Sequence, residues 1–121
     1  MVVWESYDGS YNRIYSSRYT DGLWGAPTQV EFLDEGAGDP QLVMLRDGTG
    51  VVVWDRANNY RTLWTAPFSE KGGWSSPTLV DNETIYPYNP ALAVNDSGDV
   101  VIVWLASWQI WARCVPLACL L

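Results

Sequence analysis

A repeat with a period of fifty residues is the feature that most constrains this chain. When the 121-residue sequence is shifted by fifty positions against itself, Val2–Trp4 falls on Val52–Trp54, and Val53 and Trp54 fall in turn on Val103 and Trp104. The same shift aligns Gly22, Trp24, Pro27, Thr28 and Val30 with Gly72, Trp74, Pro77, Thr78 and Val80, and Pro40, Leu42 and Gly48 with Pro90, Leu92 and Gly98. Because so many matches share one offset, the chain is built from repeated units.

Each period is predicted to form four short β-strands joined by tight turns. In the middle period the predicted strands are Gln41–Leu45, Val51–Trp54, Tyr60–Thr65 and Trp74–Val80. The second strand, Val51–Trp54, is apolar on both faces, which is typical of a strand packed between two sheets. The last strand contains Pro77, which removes a ladder donor, so we expect it at a sheet edge. No segment has a helical period.

Four hairpin-connected strands with the edge strand last predict an all-β fold of antiparallel four-stranded β-propeller blades. The alternative is a β-sandwich built from evenly spaced hairpins. A sandwich, however, does not need a Trp at the same position in every repeat. About ten strands, or two and a half blades, are predicted. The predicted units are 1–38 (a partial blade lacking its first strand), 39–88 (a complete blade) and 89–121 (three strands, the third at Trp108–Cys114, and a divergent apolar tail).

Composition excludes several function classes. Seven Lys and Arg against fourteen Asp and Glu give a formal charge of -7, which argues against nucleic acid or a membrane surface as a partner. The chain has no His, so Ser-His-Asp and Cys-His arrangements and zinc sites with histidine ligands are excluded. We therefore predict no catalytic residue, no metal ligand, no cofactor and no enzyme activity.

The compartment stays open. Residues 1–5 lack the basic region of a signal peptide, and the longest apolar run near a terminus is far too short to span a membrane. The sequence thus predicts a soluble protein. Cys114 and Cys119 lie close together and either form a local disulfide or remain reduced thiols.

The predicted strands leave unpaired edges in the first and last units. Exposed apolar edges favour assembly with another chain. We therefore expect either a homo-oligomer in which open blade edges close a ring, or a fragment of a longer reading frame.

The repeat resembles the propeller repeats of bacterial surface and secreted proteins. In those repeats an apolar strand ending in Val-Trp precedes an Ile-Trp-Ala-Asn-Arg-Tyr-like strand and a Gly-Trp-Gly turn. The counterparts in this sequence are Val51–Trp54, Ile14–Tyr19, Leu23–Pro27 and a third copy of the second motif at Ile110–Cys114. The resemblance implies a propeller fold and relatives that are often secreted or exposed on the cell surface; it implies little about function.

Two families with known roles are similar in part. Fucose-binding lectins resemble this chain in period, in Trp content and in building a ring from short chains. That resemblance implies a sugar site between adjacent blades, where Trp stacks on the sugar while Arg and acidic side chains bind hydroxyls. Sialidase-like repeats carry an Asp box, but only Asp47–Gly50 and Asp96–Gly98 approach it here, with different spacing.

Recurrent aromatic and arginine residues are the candidates for ligand binding. Trp24 and Trp74 follow glycine turns, where a half-exposed indole can stack on a sugar; the alternative is a packing role. Arg18 and Arg61 lie near aromatic residues and can bind a hydroxyl pair, or simply be solvated. Two tyrosines lie in the connection between blades, where they either bind ligand or pack. The full set is Trp24, Trp74, Arg18, Arg61, Tyr86 and Tyr88.

These patterns favour a non-catalytic propeller-repeat binding protein that takes a carbohydrate or protein ligand as a self-associated ring. The alternative is a truncated propeller fragment with no defined biochemical function. A third hypothesis is part of a sialidase-like glycoside hydrolase, since paired carboxylates can hydrolyse glycosides. The loop acids that would supply such a pair are Asp34, Glu35, Asp39, Asp81 and Glu83; their alternative role is solvation.

Overall fold

The computed structural model describes residues 1–33, 35–57, 61–80 and 86–116. These residues form antiparallel strands and their connections, without any helix. Within that part of the chain there is consequently no helix long and apolar enough to cross a membrane. The predicted all-β, antiparallel fold class is confirmed.

The described residues contain thirteen strands. The strands before residue 36 are β1 (Val2–Tyr7), β2 (Asn12–Ser17), β3 (Tyr19–Thr20), β4 (Leu23–Trp24) and β5 (Thr28–Gln29). Those of the middle period are β6 (Ala37–Met44), β7 (Gly50–Ala57), β8 (Arg61–Ser69), β9 (Gly73–Trp74) and β10 (Thr78–Leu79). The last three are β11 (Tyr88–Val94), β12 (Asp99–Ala106) and β13 (Gln109–Pro116).

Three meandering sheets follow one another along the chain. The first sheet has the order β1-β2-β5, the middle sheet β6-β7-β8-β10 with β9 also on β8, and the third sheet β11-β12-β13. Strands β3 and β4 form a separate small hairpin. The predicted units change after residues 38 and 88, which are the second residue of β6 and the first residue of β11; the division into propeller blades stays a prediction.

The middle sheet is covered on both faces, and β7 shows why. Its residues 51–54 are all fully buried. Val51 and Val53 belong to an apolar cluster with Ile102 of the third sheet. Val52, by contrast, belongs to a second cluster with Ile14 of the first sheet. Because successive side chains of a strand point to opposite faces, a strand of four apolar residues needs a sheet on each side.

The predicted last strands are interrupted where proline occurs. The strand predicted at Trp74–Val80 is two short strands, β9 and β10, separated by residues 75–77. The first period repeats this division, with β4 and β5 on either side of Pro27. Proline lacks the N–H that a continuous ladder requires. The prediction of an edge position is confirmed, since β10 lies at the edge of the middle sheet.

Two further boundaries differ from prediction. The strand predicted from Trp108 begins at Gln109, because Ser107 and Trp108 form the two-residue turn between β12 and β13. The third strand of the middle period continues past Thr65 to Ser69, because it pairs with β7 as far as Gly50. Its predicted start at Tyr60 lies outside the described residues.

A bulge recurs in the first strand of the middle and third sheets. The pairing of β6 shifts register between Gly38 and Gln41, and that of β11 shifts between Tyr88 and Ala91. The residue before each proline has a positive φ, 50° at Asp39 and 52° at Asn89. Asp and Asn tolerate this left-handed conformation better than most residues. The repeated Asp/Asn-Pro pair therefore encodes the bulge.

The turn between β12 and β13 gives a first testable prediction. Ser107 and Trp108 have φ values of 53° and 63°, as a type I′ turn requires, and Trp108 is 97% exposed. Asn-Gly is the preferred pair for this turn, and a left-handed residue other than glycine costs at least about 1 kcal/mol. Replacing Ser107-Trp108 by Asn-Gly should raise the free energy of unfolding, measured in urea, by about 1 kcal/mol.

The matched control is Ser10→Gly in the turn of the first sheet. Ser10 is exposed but is not among the residues with positive φ, so glycine there should not stabilise. Equal effects of the two changes would contradict the turn assignment.

Candidate functional site

A cleft of about 310 Å³ opens between the first and middle sheets. It lies at the end of the middle sheet where β7 begins and β8 ends. Ser17 and Arg18 line it from the first sheet, and Phe68, Glu70 and Trp74 line it from the middle sheet. We call it the seam cleft. It exists only because the two sheets pack face to face.

Arg18 is the central charged group of the seam cleft. Its guanidinium carbon lies 5.3 Å from the ring centroid of Phe68, within the range of a cation–π interaction. Its Nη2 lies 3.2 Å from Oε1 of Glu70. Both charged side chains are partly exposed. The pair therefore presents donors and acceptors to solvent, while Phe68 beneath Arg18 is buried.

The backbone around Arg18 is held by the following turn. Ser17 donates its hydroxyl to the Gly25 carbonyl at 2.7 Å, and the Gly25 N–H donates to the Arg18 carbonyl at 2.8 Å. Glu70 rests over Gly48, where an added Cβ would come within 2.5 Å of Glu70 Oε1. Gly48 also has a φ of 88°, so glycine is favoured on both grounds.

Trp74 joins the two sheets beside Arg18. Its ring packs against Phe68 with centroids 5.1 Å apart, and its Nε1 donates to Ser16 Oγ of the first sheet at 2.8 Å. Trp74 also lines a second cleft of about 550 Å³, between Gln29–Leu33 and Gly72–Pro77. The indole is thus a wall between two clefts, and its N–H is already used within the protein.

Trp24 has a different environment from its repeat counterpart. It packs against Tyr19 with centroids 5.2 Å apart and an interplanar angle of 57°, nearly the geometry of Phe68 and Trp74. Trp24 is 56% exposed, however, and Tyr19 and Leu23 beside it are exposed as well. The structure therefore places Trp24 on an exposed aromatic hairpin, while Trp74 is covered by the first sheet.

The other candidate residues lie at the opposite end of the sheets. Arg61 begins β8, seven residues before Phe68, which corresponds to about 23 Å along a strand. Its Nη1 lies 3.7 Å from Asp55 Oδ2. Tyr88 pairs with Leu105 at the same end of the third sheet, and Tyr86 is exposed nearby in the chain. Arg61, Tyr86 and Tyr88 are therefore not brought together with Arg18 and Trp74.

Carboxyl groups gather at this opposite end. The Asp39 N–H donates to Glu5 Oε2 at 3.2 Å. Glu5 thus accepts a hydrogen bond from a backbone N–H that lies in the bulge and does not pair with the neighbouring strand. Asp55 is only 7% exposed. Its burial, followed by the neighbouring charge of Asp39, raises the pKa of Asp55 to about 6. A carboxyl group with a pKa near 6 beside a second one has the properties of a general acid, but here it is buried.

The remaining loop acids do not extend this group. Glu35 forms an ion pair of 2.6 Å with Arg56, whose guanidinium lies over the ring of Trp64 at 4.9 Å. Asp34, Asp81 and Glu83 lie outside the described residues, as does Cys119; Cys114 is exposed on β13. Among residues that the structure describes, no three His, Cys, Asp or Glu side chains are arranged to hold a metal ion.

Comparisons with protein families, with curated proteins and with solved structures find no match to this chain.

Sequence reasoning missed Phe68 and Glu70. Phe68 lies beyond the predicted end of its strand, and Glu70 lies between two predicted strands. No sequence motif links Phe68 or Glu70 to Arg18, because these residues come together only where the first and middle sheets pack. The signal that was available is the run Ala66–Ser69, whose apolar residues extend the strand.

The contrast between Trp74 and Trp24 gives a second prediction. Trp74→Phe removes the indole N–H that binds Ser16 while it keeps an aromatic ring. A lost hydrogen bond of this kind costs about 1 kcal/mol. We expect Trp74→Phe to lower the free energy of unfolding by about 1–2 kcal/mol. The matched change Trp24→Phe, on the exposed hairpin, should alter it by less than about 0.5 kcal/mol. If urea titrations showed that the two variants lose the same free energy of unfolding, the different environments of Trp74 and Trp24 would be contradicted.

Asp55 gives a third prediction, on pH. Its folded-state pKa of about 6 lies above the ordinary value of 3.8 for an aspartic acid, so the folded chain binds the proton more tightly than the unfolded chain does. The free energy of unfolding should therefore fall as pH rises from about 4 to 6. Above pH 6 the buried carboxyl of Asp55 is ionised, and the loss of stability that this causes is complete. Asp55→Asn should flatten this slope in urea titrations at pH 4, 5, 6 and 7.

Asp47→Asn is the matched control for this experiment. Hydrogen bonds from Thr49 lower the pKa of Asp47, so this change acts below about pH 4 and should leave the slope above it unaltered. A wild-type slope in Asp55→Asn would show that the pKa of Asp55 is not raised.

Proposed function

We propose that this chain is a non-catalytic propeller-repeat protein that binds carbohydrate in the seam cleft and acts as a self-associated ring. The observation that carries the proposal is Arg18, held between the Phe68 ring and the Glu70 carboxylate at the junction of two sheets.

The order and stacking of the sheets support a propeller. The middle sheet is a five-stranded meander in which β6, β7, β8 and β10 lie side by side, β9 also pairs with β8, and β10 lies at the edge. Its two faces are buried against the preceding and following sheets, as in successive blades around an axis. The repeated bulge supports equivalence of the middle and third units.

The chemistry of the seam cleft suits a sugar. A guanidinium fork donates to paired acceptors, and a carboxylate accepts from hydroxyls. Aromatic faces stack on the C–H groups of a sugar ring. The cleft volume of about 310 Å³ is at the small end of ligand pockets, which favours a monosaccharide unit. Trp74 contributes its ring here, since its N–H is bound to Ser16.

A protein ligand is the second candidate, favoured by a different observation. The hairpin of β3 and β4 exposes Tyr19, Leu23 and Trp24 together. Exposed aromatic clusters of this kind are typical of protein-binding surfaces. A protein ligand would therefore depend on Trp24, and a sugar in the seam cleft would not.

The fourth prediction tests the sugar. A glycan array identifies a ligand, and calorimetry then measures its affinity for two variants. Arg18→Lys keeps the charge but loses the planar fork, so it should weaken binding by about tenfold or more, since hydrogen bonds to charged groups contribute about 1.5–3 kcal/mol. Arg61→Lys is the matched control and should bind like the wild type.

Three outcomes would contradict the proposal in different ways. Loss of binding in Arg61→Lys but not in Arg18→Lys would move the site to the end that bears Tyr86 and Tyr88. The absence of any glycan ligand would remove the sugar version and favour the Trp24 hairpin or a fragment without a ligand. Release of sugar from a bound glycan, abolished in Asp55→Asn, would instead revive the hydrolase hypothesis.

A further inference from the structure

Each sheet has two faces that the repeat makes equivalent. We call the face toward the next sheet in the chain the trailing face, and the face toward the preceding sheet the leading face. The trailing faces carry Val3 and Ile14, Val53 and Leu63, and Val103 and Ile110. The leading faces carry Val2 and Trp4, Val52 and Trp54, and Ile102 and Trp104.

Cross-strand pairing establishes this equivalence in the second strand of each hairpin. Ile14 pairs with Glu5, Leu63 with Asp55, and Ile110 with Leu105. Glu5, Asp55 and Leu105 are separated by fifty residues each. Ile14, Leu63 and Ile110 therefore occupy the same place in three successive sheets.

The burial of these three residues differs sharply. Ile14 is fully buried against the middle sheet, and Leu63 is fully buried against the third sheet. Ile110 is 78% exposed. Val51 and Val101 show the same contrast, at 0% and 38% exposure. The trailing face of the third sheet thus carries apolar residues at the same positions as the buried trailing faces of the first and middle sheets, but its residues are exposed.

The leading face of the first sheet shows the complementary contrast. Val2 is 44% exposed, whereas its counterparts Val52 and Ile102 are buried. Trp4 is half-buried and stacks on Tyr15 with centroids 6.2 Å apart, whereas Trp54 and Trp104 are buried. This face therefore carries the same aliphatic and indole groups that elsewhere pack on a trailing face.

Both internal interfaces join a trailing face to a leading face. Val53 and Leu63 of the middle sheet pack with Ile102 and Trp104 of the third. On the trailing face of the third sheet three of the four pairs between β12 and β13 are uncharged, namely Val101–Cys114, Val103–Ala112 and Leu105–Ile110. The fourth pair, Asp99–Pro116, places one acidic residue at the far end of this face from Ile110. A first sheet from another chain would meet there the surface that the second and third sheets meet inside one chain.

We propose that the leading face of the first sheet of a second copy packs on the trailing face of the third sheet. The contact is heterologous, so it closes a ring where the rotation permits and otherwise extends the stack. This inference rests on the self-association in the proposed function and specifies its surfaces, but it requires no ligand.

The fifth prediction uses one charge on each face. Ile110→Lys blocks the trailing face, and Val2→Lys blocks the leading face. Both residues are already exposed in the single chain, so the fold should be retained, as circular dichroism would verify. Light scattering behind a sizing column should show oligomers for the wild type. Each variant alone should be monomeric, with self-association weakened by about 30-fold or more, as for a hot-spot residue.

A mixture of the two variants distinguishes a head-to-tail contact from a symmetric one. Ile110→Lys keeps its leading face and Val2→Lys keeps its trailing face, so together they should form a complex of two chains and no larger. The matched control is Gln109→Lys, which adds the same charge one residue away on the exposed end of β13. This control should associate like the wild type.

Cys114 provides a second readout. It lies on the trailing face opposite Val101 and is exposed in the single chain. In reduced protein carrying Cys119→Ser, alkylation of Cys114 should be at least about tenfold slower in the oligomer than in Ile110→Lys, since an interface excludes the reagent.

Several results would overturn the inference. One is a wild type that stays monomeric at all concentrations. The others are an oligomer in which Gln109→Lys acts like Ile110→Lys, and a mixture of blocked variants that yields no two-chain complex. The seam cleft lies within one chain, so glycan binding can be measured on monomeric Ile110→Lys. Failure of the docking surface and failure of the sugar site are thereby separate results.

Discussion

The structure depends on covering both faces of β7. Four consecutive residues, 51–54, are fully buried, and because their side chains alternate, two of them face each neighbouring sheet. Leaving either face in water would cost about 25 cal/mol for every Å² of apolar surface. The first and third sheets therefore pack on the middle sheet, and the order of the three sheets follows from this burial.

The polar features of the molecule are consequences of that stacking. Trp74 can reach Ser16, and Arg18 can lie over Phe68, only because the first and middle sheets are in contact. The same stacking at the other end brings Asp39 and Glu5 together and leaves Asp55 buried, which raises its pKa. Two chemically different ends result from one apolar packing arrangement.

Much of the fold was predictable from local chemistry. Alternation and β-branched residues identified the strands of the middle period, and Pro77 identified an edge. The proline-interrupted strands were harder, because propensity does not reveal where a ladder breaks. Trp108 was wrongly placed in a strand, since a large aromatic residue favours strands while the two-residue connection required it in the turn.

The site was predictable only in part. Arg18 and Trp74 were identified from aromatic and arginine recurrence, and they do line one cleft. Phe68 and Glu70 were not identified, and Arg61 lies at the far end of the same sheet. Sequence separation says little about distance when two residues belong to different packed sheets.

By itself the sequence determined the period, the strand class and the edge position of the strand that contains Pro77, because these follow from backbone preferences and from burial patterns within a few residues. Only the tertiary structure decided which equivalent positions are buried and which are exposed. Ile14 and Ile110 have the same residue type and the same place in a hairpin, yet one is buried and the other exposed. The reason is physical: burial depends on the neighbouring sheet, and a strand does not encode whether that neighbour is present.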